Sequence, residues 1–92
     1  MEIKHTKLFE KTVEKLKDKY AIERLELLIK SLKQAQNLSE IPNIIPVENA
    51  PNYYRIKTGN YRLIIEQLKN GEIVILLIDY RRRNEKTYKG IN

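Results

Sequence analysis

Two short turn signals constrain the fold of this 92-residue chain more than any other feature of its sequence. Gly59-Asn60 and Asn70-Gly71 each separate segments rich in Ile, Leu, Val and Tyr. Such dipeptides between apolar runs are typical of β-hairpins, and Gly-Asn suits a type II′ turn. The apolar run at residues 73–78 is typical of a central strand. We therefore predict three consecutive antiparallel strands, at residues 53–58, 61–69 and 72–80.

Residues 1–40 have the apolar periodicity of two amphipathic helices. The first stripe begins near Thr6, a predicted N-cap, and continues to Tyr20, which we expect in the core. The second runs over residues 22–35, and the short break between them predicts an antiparallel helical hairpin. Charges of opposite sign are neighbours along the first helix, which is typical of a solvated, self-neutralising face: Lys7, Lys11, Lys15, Glu10, Glu14 and Asp18.

The connection between the two halves contains all three prolines, Pro42, Pro46 and Pro51. Residues 41–52 are therefore predicted to form neither a helix nor a central strand. The predicted fold class is α+β, with an N-terminal helical hairpin packed on one face of an antiparallel β-meander. Ile3 is expected in a short N-terminal edge strand. Residues 1–92 are expected to form a single domain.

Composition excludes several classes of protein. The chain has no cysteine, which excludes a disulfide framework, a zinc finger and a thiol nucleophile. No apolar run approaches the roughly 20 residues that a membrane-spanning helix needs. The first residues also lack the apolar segment of a signal peptide. These features predict a cytoplasmic protein with no membrane partner.

Positive charge is concentrated in two short segments. The formal net charge is +6, of which residues 53–62 contribute +3 and residues 81–92 contribute +4, whereas the rest of the chain sums to −1. Five of the six tyrosines lie in or beside these segments. Cations that contact phosphates and rings that stack on bases are typical of single-stranded nucleic acid sites. The alternative, that these residues only solvate a small domain, fits the two acid-poor segments less well.

The hairpin turns also predict which side chains are neighbours, since two-residue turns fix strand register. Lys57 is expected opposite Arg62, a like-charge pair that is unfavourable by up to about 1 kcal/mol unless an anion lies between them. The second turn places Arg62 opposite Asp79 and Ile64 opposite Leu77, so Asp79 is alternatively a structural partner that neutralises Arg62. One face is expected to carry Tyr53, Arg55, Lys57, Arg62 and Asp79. The face toward the helices is expected to carry Tyr54, Ile56, Tyr61, Leu63, Ile65, Leu76 and Ile78.

The chain resembles the RelE/ParE superfamily of type II toxin–antitoxin toxins in the segment YYRIKTGNYRLIIEQ, in the apolar strand after it and in the tail RRRNEKTY. The shared pattern is a tyrosine, a basic–apolar–basic alternation, Gly-Asp/Asn-Tyr-Arg, a hairpin, and late basic residues with a tyrosine. Residues 37–42 are similar to the segment that precedes the sheet in many members. The resemblance covers most of the chain and implies a RelE-like toxin domain.

For the RelE branch, the resemblance implies ribosome-dependent cleavage of mRNA without a metal or other cofactor. The 2′-hydroxyl attacks the adjacent phosphate and leaves a cyclic phosphate and a free 5′-hydroxyl. By position, Lys57 is the candidate base, Arg82 protonates or stabilises the leaving oxygen, and Tyr88 stacks on or orients the nucleotide. The resemblance leaves open which of three consecutive arginines is the key one. The remaining candidates would clamp the phosphate or bind substrate: Arg62, Arg55, Arg81, Arg83, Lys86 and Tyr53.

Three functions are compatible with these sequence features. The leading hypothesis is the endoribonuclease toxin, which inhibits translation. The second is a DNA gyrase inhibitor on the same fold, as the ParE branch implies. The third is a non-catalytic module whose basic face binds nucleic acid or an acidic partner. All three predict a cognate antitoxin with an acidic or amphipathic segment that masks the basic surface.

Overall fold

The computed structural model describes residues 1–70 and 72–83. Two helices pack on a five-stranded, mostly antiparallel sheet, which confirms the predicted α+β fold class and the short N-terminal strand. Within the described part of the chain, no helix is long and apolar enough to cross a membrane. The elements are β1 (Glu2–His5), α1 (Lys7–Glu14), α2 (Lys19–Gln34), a 3-10 helix (Leu38–Glu40), β2 (Ile44–Pro46), β3 (Tyr53–Thr58), β4 (Tyr61–Asn70) and β5 (Glu72–Arg82).

Two caps determine where the helices begin. The Thr6 hydroxyl accepts the Phe9 backbone N–H at 3.0 Å, as predicted for the start of α1. The Asp18 carboxylate accepts the Ala21 N–H at 3.1 Å and begins α2. Tyr20 therefore lies in the first turn of α2 rather than on the stripe of α1, and 77% of it is exposed. Its predicted place in the core is wrong, because the first helix ends before its apolar stripe reaches it.

The core lies between the helices and one face of the sheet. The Tyr80 side chain is almost wholly buried there, and its hydroxyl donates a 2.8 Å hydrogen bond to the Ala21 carbonyl oxygen. This bond satisfies a buried polar group and fixes α2 to β5. Other buried members of the core come from both helices and three strands: Phe9, Leu25, Leu32, Ile56, Leu63, Ile65, Ile75 and Leu77.

The connector contains a strand that was not predicted. β2 pairs antiparallel with β3 at one edge of the sheet, in the strand order β1-β5-β4-β3-β2. Pro46 is its last residue, and an edge strand tolerates proline. Three residues are too few to show a strand alternation in the sequence. Residues 41–52 contain no helix and no central strand, which confirms both exclusions; the 3-10 helix ends at Glu40, before this stretch.

The first hairpin has the predicted register. Lys57 lies opposite Arg62 and Thr58 lies opposite Tyr61. Gly59 has a φ of 61°, as the first central residue of a type II′ turn requires. β5 lies between β4 and the parallel strand β1, so its predicted central position is confirmed.

The second hairpin differs from the predicted register. Asn70 pairs with Glu72, and a register shift between Ile64 and Ile65 places Ile64 opposite Asp79. The predicted pairing of Ile64 with Leu77 is therefore wrong. A bulge adds a residue to one strand and changes which face the following side chains occupy. Turn chemistry alone does not reveal such an insertion.

The turn and the bulge each displace β5 by one residue relative to the predicted register, and together they change the prediction for the site. Arg62 lies opposite Arg81, so its predicted pairing with Asp79 is wrong. On β5, the buried residues Ile75, Leu77 and Tyr80 belong to the core, whereas Leu76 and Ile78 are half-exposed. The prediction that Leu76 and Ile78 face the helices is also wrong. Leu76 is displaced by the turn, where Asn70 pairs with Glu72, and Ile78 is the residue that the bulge adds to β5.

Candidate nucleic-acid interface

Three cations form a row across the sheet face that points away from the core. Lys57 of β3 lies opposite Arg62 of β4, and Arg62 lies opposite Arg81 of β5. Neighbouring strands are about 4.8 Å apart, so the row spans about 10 Å. Lys57 is exposed, and both arginines are half-buried. We call Lys57, Arg62 and Arg81 the cationic row; its charges converge on a surface suited to an anion.

A second row lies next to the cationic row on the same face. Arg55, Ile64 and Asp79 are opposite one another on β3, β4 and β5. Arg55 is half-buried and adds a fourth cation, two residues from Lys57 on one strand. This second row has polar side chains only at its two ends, Arg55 and Asp79, with the apolar Ile64 between them. Ile64 and Asp79 are buried.

Asp79 binds Arg81, its neighbour but one on β5. One carboxylate oxygen accepts the Arg81 Nε–H at 2.8 Å, and the other accepts the Tyr80 backbone N–H at 2.8 Å and the Thr12 hydroxyl at 3.2 Å. Thr12 belongs to α1, so this one buried carboxylate connects α1 to the cationic row. A charge-assisted bond to Nε fixes the plane of the guanidinium group. Asp79 is therefore placed to orient Arg81.

Arg82 lies on the opposite face of the sheet from the cationic row. It is opposite Tyr61, and its guanidinium carbon is 6.0 Å from the centre of the Tyr61 ring. Tyr61 in turn stacks on Tyr80 with ring centres 4.9 Å apart. Arg83 is exposed, and its backbone N–H donates to the Asn60 carbonyl oxygen at 2.9 Å. The three consecutive arginines thus have different environments.

Burial changes the acid–base properties of two tyrosines. Burial, with smaller contributions from Tyr61 and Asp18, raises the pKa of Tyr80 to about 12. Tyr53 lies opposite Glu66, and partial burial together with the Glu66 carboxylate raises the pKa of Tyr53. Tyr53 is on the face of the cationic row but has this acidic neighbour beside it.

Comparison with known proteins identifies the family. The sequence profile described as the ParE toxin of the type II toxin–antitoxin system parDE matches residues 3–85. The chain belongs to the ParE toxin family. This confirms the predicted membership of the RelE/ParE superfamily. Among curated proteins, no sequence matches this ParE-family toxin significantly.

A solved structure shows the same fold. The ParE-family toxin is similar to the crystal structure of the RelB–RelE antitoxin–toxin complex from Methanococcus jannaschii, with a TM-score of 0.75 and 26% sequence identity. The match covers 97% of this chain and 99% of that chain. The protein is therefore a type II toxin that is RelE-like in structure.

The structure of the ParE-family toxin brings together some of the predicted site residues and separates others. Lys57, Arg62 and Arg81 share one row, and Arg55 is next to it. Tyr53 is further along the same face, whereas Arg82 is on the other face. The predicted residues Lys86 and Tyr88 lie outside the described residues, so their roles stay predictions.

One contributor to the site was missed by sequence reasoning. Thr12 lies 67 residues from Asp79 and carries no motif that marks it. Only the folded chain places α1 beside β5. In residues 1–70 and 72–83 there is no group of three or more His, Asp or Glu side chains that could hold a metal ion.

Proposed function

We propose that this ParE-family toxin binds mRNA on the ribosome and cleaves it, as a ribosome-dependent endoribonuclease that needs no metal. The cationic row is the single observation that carries the proposal. Like charges on adjacent strands disfavour the sheet by up to about 1 kcal/mol for each pair. An RNA phosphate between Lys57, Arg62 and Arg81 would reverse the sign of that interaction, so the row suits a phosphodiester ligand.

The proposed reaction needs no group beyond RNA and protein side chains. The 2′-oxygen forms a bond to phosphorus, the bond from phosphorus to the 5′-oxygen breaks, and a cyclic phosphate and a 5′-hydroxyl result. The 2′-hydroxyl proton passes to a base, and the leaving oxygen takes up a proton. Cations fixed before the reaction stabilise the charge that develops at the phosphorane. We propose Lys57 as the base and Arg62 with Arg55 as the groups that hold the phosphate oxygens.

For the leaving oxygen, we propose Arg81 in place of Arg82. Matching by position assigns this role to Arg82, six residues before Tyr88. Arg81, however, shares the face of Lys57 and Arg62, and Asp79 orients its guanidinium group. A phosphate bound between Lys57 and Arg62 is therefore closer to Arg81 in the sheet register. The role implied for Tyr88 in orienting the nucleotide is retained as a prediction.

We also propose that a cognate antitoxin masks this surface. The toxin in the similar archaeal crystal structure is bound to the antitoxin RelB. An acidic antitoxin segment would neutralise the cationic row and would compete with RNA. Replacing Asp and Glu in that segment with Asn and Gln should weaken the complex, mainly through faster dissociation where the charges are buried.

The match to the ParE family profile favours a second candidate, inhibition of DNA gyrase. In that case, the basic face would contact gyrase or DNA, and mRNA would stay intact. Expression of the toxin would produce DNA damage signalling, and Tyr88 would be dispensable. Intact mRNA together with inhibited supercoiling would overturn the endoribonuclease proposal.

The direct test is a purified translation reaction with a defined reporter mRNA, with cleavage sites mapped by primer extension. Wild-type toxin should cut the message only when ribosomes translate it. Arg62→Ala should lower the cleavage rate by about 10²–10³-fold, the usual effect of removing one group that stabilises transition-state charge. Lys69→Ala is the matched control, because Lys69 is an exposed cation on the same strand, seven residues away.

A further inference from the structure

A cavity of about 360 Å³ lies between α1 and the C-terminal end of β5, directly beside the cationic row. Arg81 belongs to both the row and the cavity lining. Its other cations are Lys11 of α1 and Lys15, which directly follows that helix. Leu8 and Leu16 contribute apolar surface, and the Tyr61 and Tyr80 rings of the core-facing side complete the lining with Thr12. The described residues that line the cavity include no carboxylate.

The face of α1 that borders this cavity is positively charged. Residues 8, 11, 12 and 15 recur at helical spacing and therefore lie on one side of the helix. The Thr12 hydroxyl bond to Asp79 directs this side toward β5. The nearby acid Glu10 instead lies 3.5 Å from His5, away from the cavity. The self-neutralising face along α1 stays a prediction, while the described lining of the cavity contains Lys11 and Lys15 and no acid.

We infer that the cationic row continues onto α1 and that Lys11 and Lys15 bind the backbone of single-stranded RNA beyond the cleaved phosphate. The inference rests on the proposed function, since it extends the same RNA site. Lys57, Arg62 and Arg81 follow one another across β3, β4 and β5, and α1 packs against β5. The cations thus form one continuous path over four neighbouring elements.

The chemistry of the cavity fits an RNA strand. Lysines act as point charges that hold a phosphate in many orientations, as a sequence-independent backbone contact requires. The apolar side chains Leu8 and Leu16 provide a surface against which a sugar or base can pack. The site contributes affinity rather than sequence preference. An acidic peptide is the competing occupant. It would not explain why the cavity is continuous with a row of cations suited to phosphate.

The test measures how the affinity for RNA depends on salt. The probe is a fluorescent 2′-O-methyl RNA oligonucleotide of mixed sequence, which cannot be cleaved by 2′-hydroxyl attack, and anisotropy reports binding to the full chain. The variants are Lys11→Gln/Lys15→Gln and the control Lys30→Gln/Lys33→Gln. Both remove two exposed lysines and leave the same net charge. Each lost phosphate contact should reduce the slope of log K against log salt by about 0.7.

The inference predicts that the Lys11/Lys15 variant loses about 1.4 from this slope, whereas the control keeps the wild-type slope. Equal slopes for the two variants would overturn it, whether both fall or neither changes. An unchanged RNA slope with a lost antitoxin complex would identify a protein site and also overturn it. Cleavage of mRNA is a separate readout: intact mRNA with the predicted slopes would count against the proposed function alone.

Discussion

At the scale of single residues, Asp79 is the buried group on which the orientation of Arg81 depends. Asp79→Asn keeps the shape but removes the charge, so it should destabilise the fold by about 1.5–3 kcal/mol, the usual contribution of a hydrogen bond to a charged group. Thr12→Val removes one donor and should cost about 1 kcal/mol. Urea denaturation measures both. Ser31→Ala, at an exposed position of α2, is the control and should change stability by less than about 0.5 kcal/mol.

An NMR measurement on Asp79→Asn and Arg81→Ala separates the orientation of Arg81 from the stability of the fold. The Arg81 Nε–H should give a distinct, exchange-protected NMR signal in the wild type, because it donates to a buried carboxylate. That signal should weaken in Asp79→Asn and should be absent in Arg81→Ala, which assigns it. A protected signal that persists in Asp79→Asn would contradict the proposed positioning of Arg81.

Tyr80 gives the fold a predicted dependence on high pH. Burial raises its pKa to about 12 in the folded state, whereas an unfolded tyrosine titrates near 10. Between these values the unfolded state binds fewer protons, so the folded state loses stability as pH rises. The stability advantage of the wild type over Tyr80→Phe should be largest below pH 10 and should shrink toward pH 12. Urea denaturation of both proteins across this range measures it, and a constant difference would argue against the raised pKa.

At the scale of elements, the turn between β3 and β4 determines where two of the site cations lie. Gly59 has a φ of 61°, and a Cβ there would lie 3.2 Å from the Arg24 side chain. Gly59→Ala should therefore destabilise the fold by about 1–2 kcal/mol, the cost of this backbone region for an L-residue. Asn60→Ala is the control, since Asn60 is not among the residues with positive φ. Thermal unfolding compares them; equal stabilities would contradict the turn assignment.

Structural features were predicted correctly where their sequence signal lies within a few neighbouring residues. The Thr6 cap, the Gly59-Asn60 turn and the pairing of Lys57 with Arg62 all depend on neighbouring residues, and all three were predicted. The bulge in β5 was not, because it is fixed by distant contacts. The Thr6 hydroxyl donates to the Ile78 carbonyl oxygen at 3.0 Å, a contact between the two ends of the described chain.

At the scale of the whole molecule, folding brings together positively charged side chains from two segments and one helix that are far apart in the sequence. Arg62 opposite Arg81 joins the basic segment at residues 53–62 to the first residue of the basic segment at residues 81–92. The part played by α1 was not predictable from charge counts. Lys11 and Lys15, four residues apart, both line the cavity, whereas Glu10 lies beside His5.

The most direct test of the central claim compares two adjacent arginines that lie on opposite faces of one strand. The rate of ribosome-dependent mRNA cleavage is measured for Arg81→Ala and Arg82→Ala, with equal amounts of folded protein. The cationic row predicts that Arg81→Ala loses about 10²–10³-fold in rate, whereas Arg82→Ala stays within a few-fold of the wild type. The reverse pattern would show that the catalytic site does not lie on the face of Lys57 and Arg62.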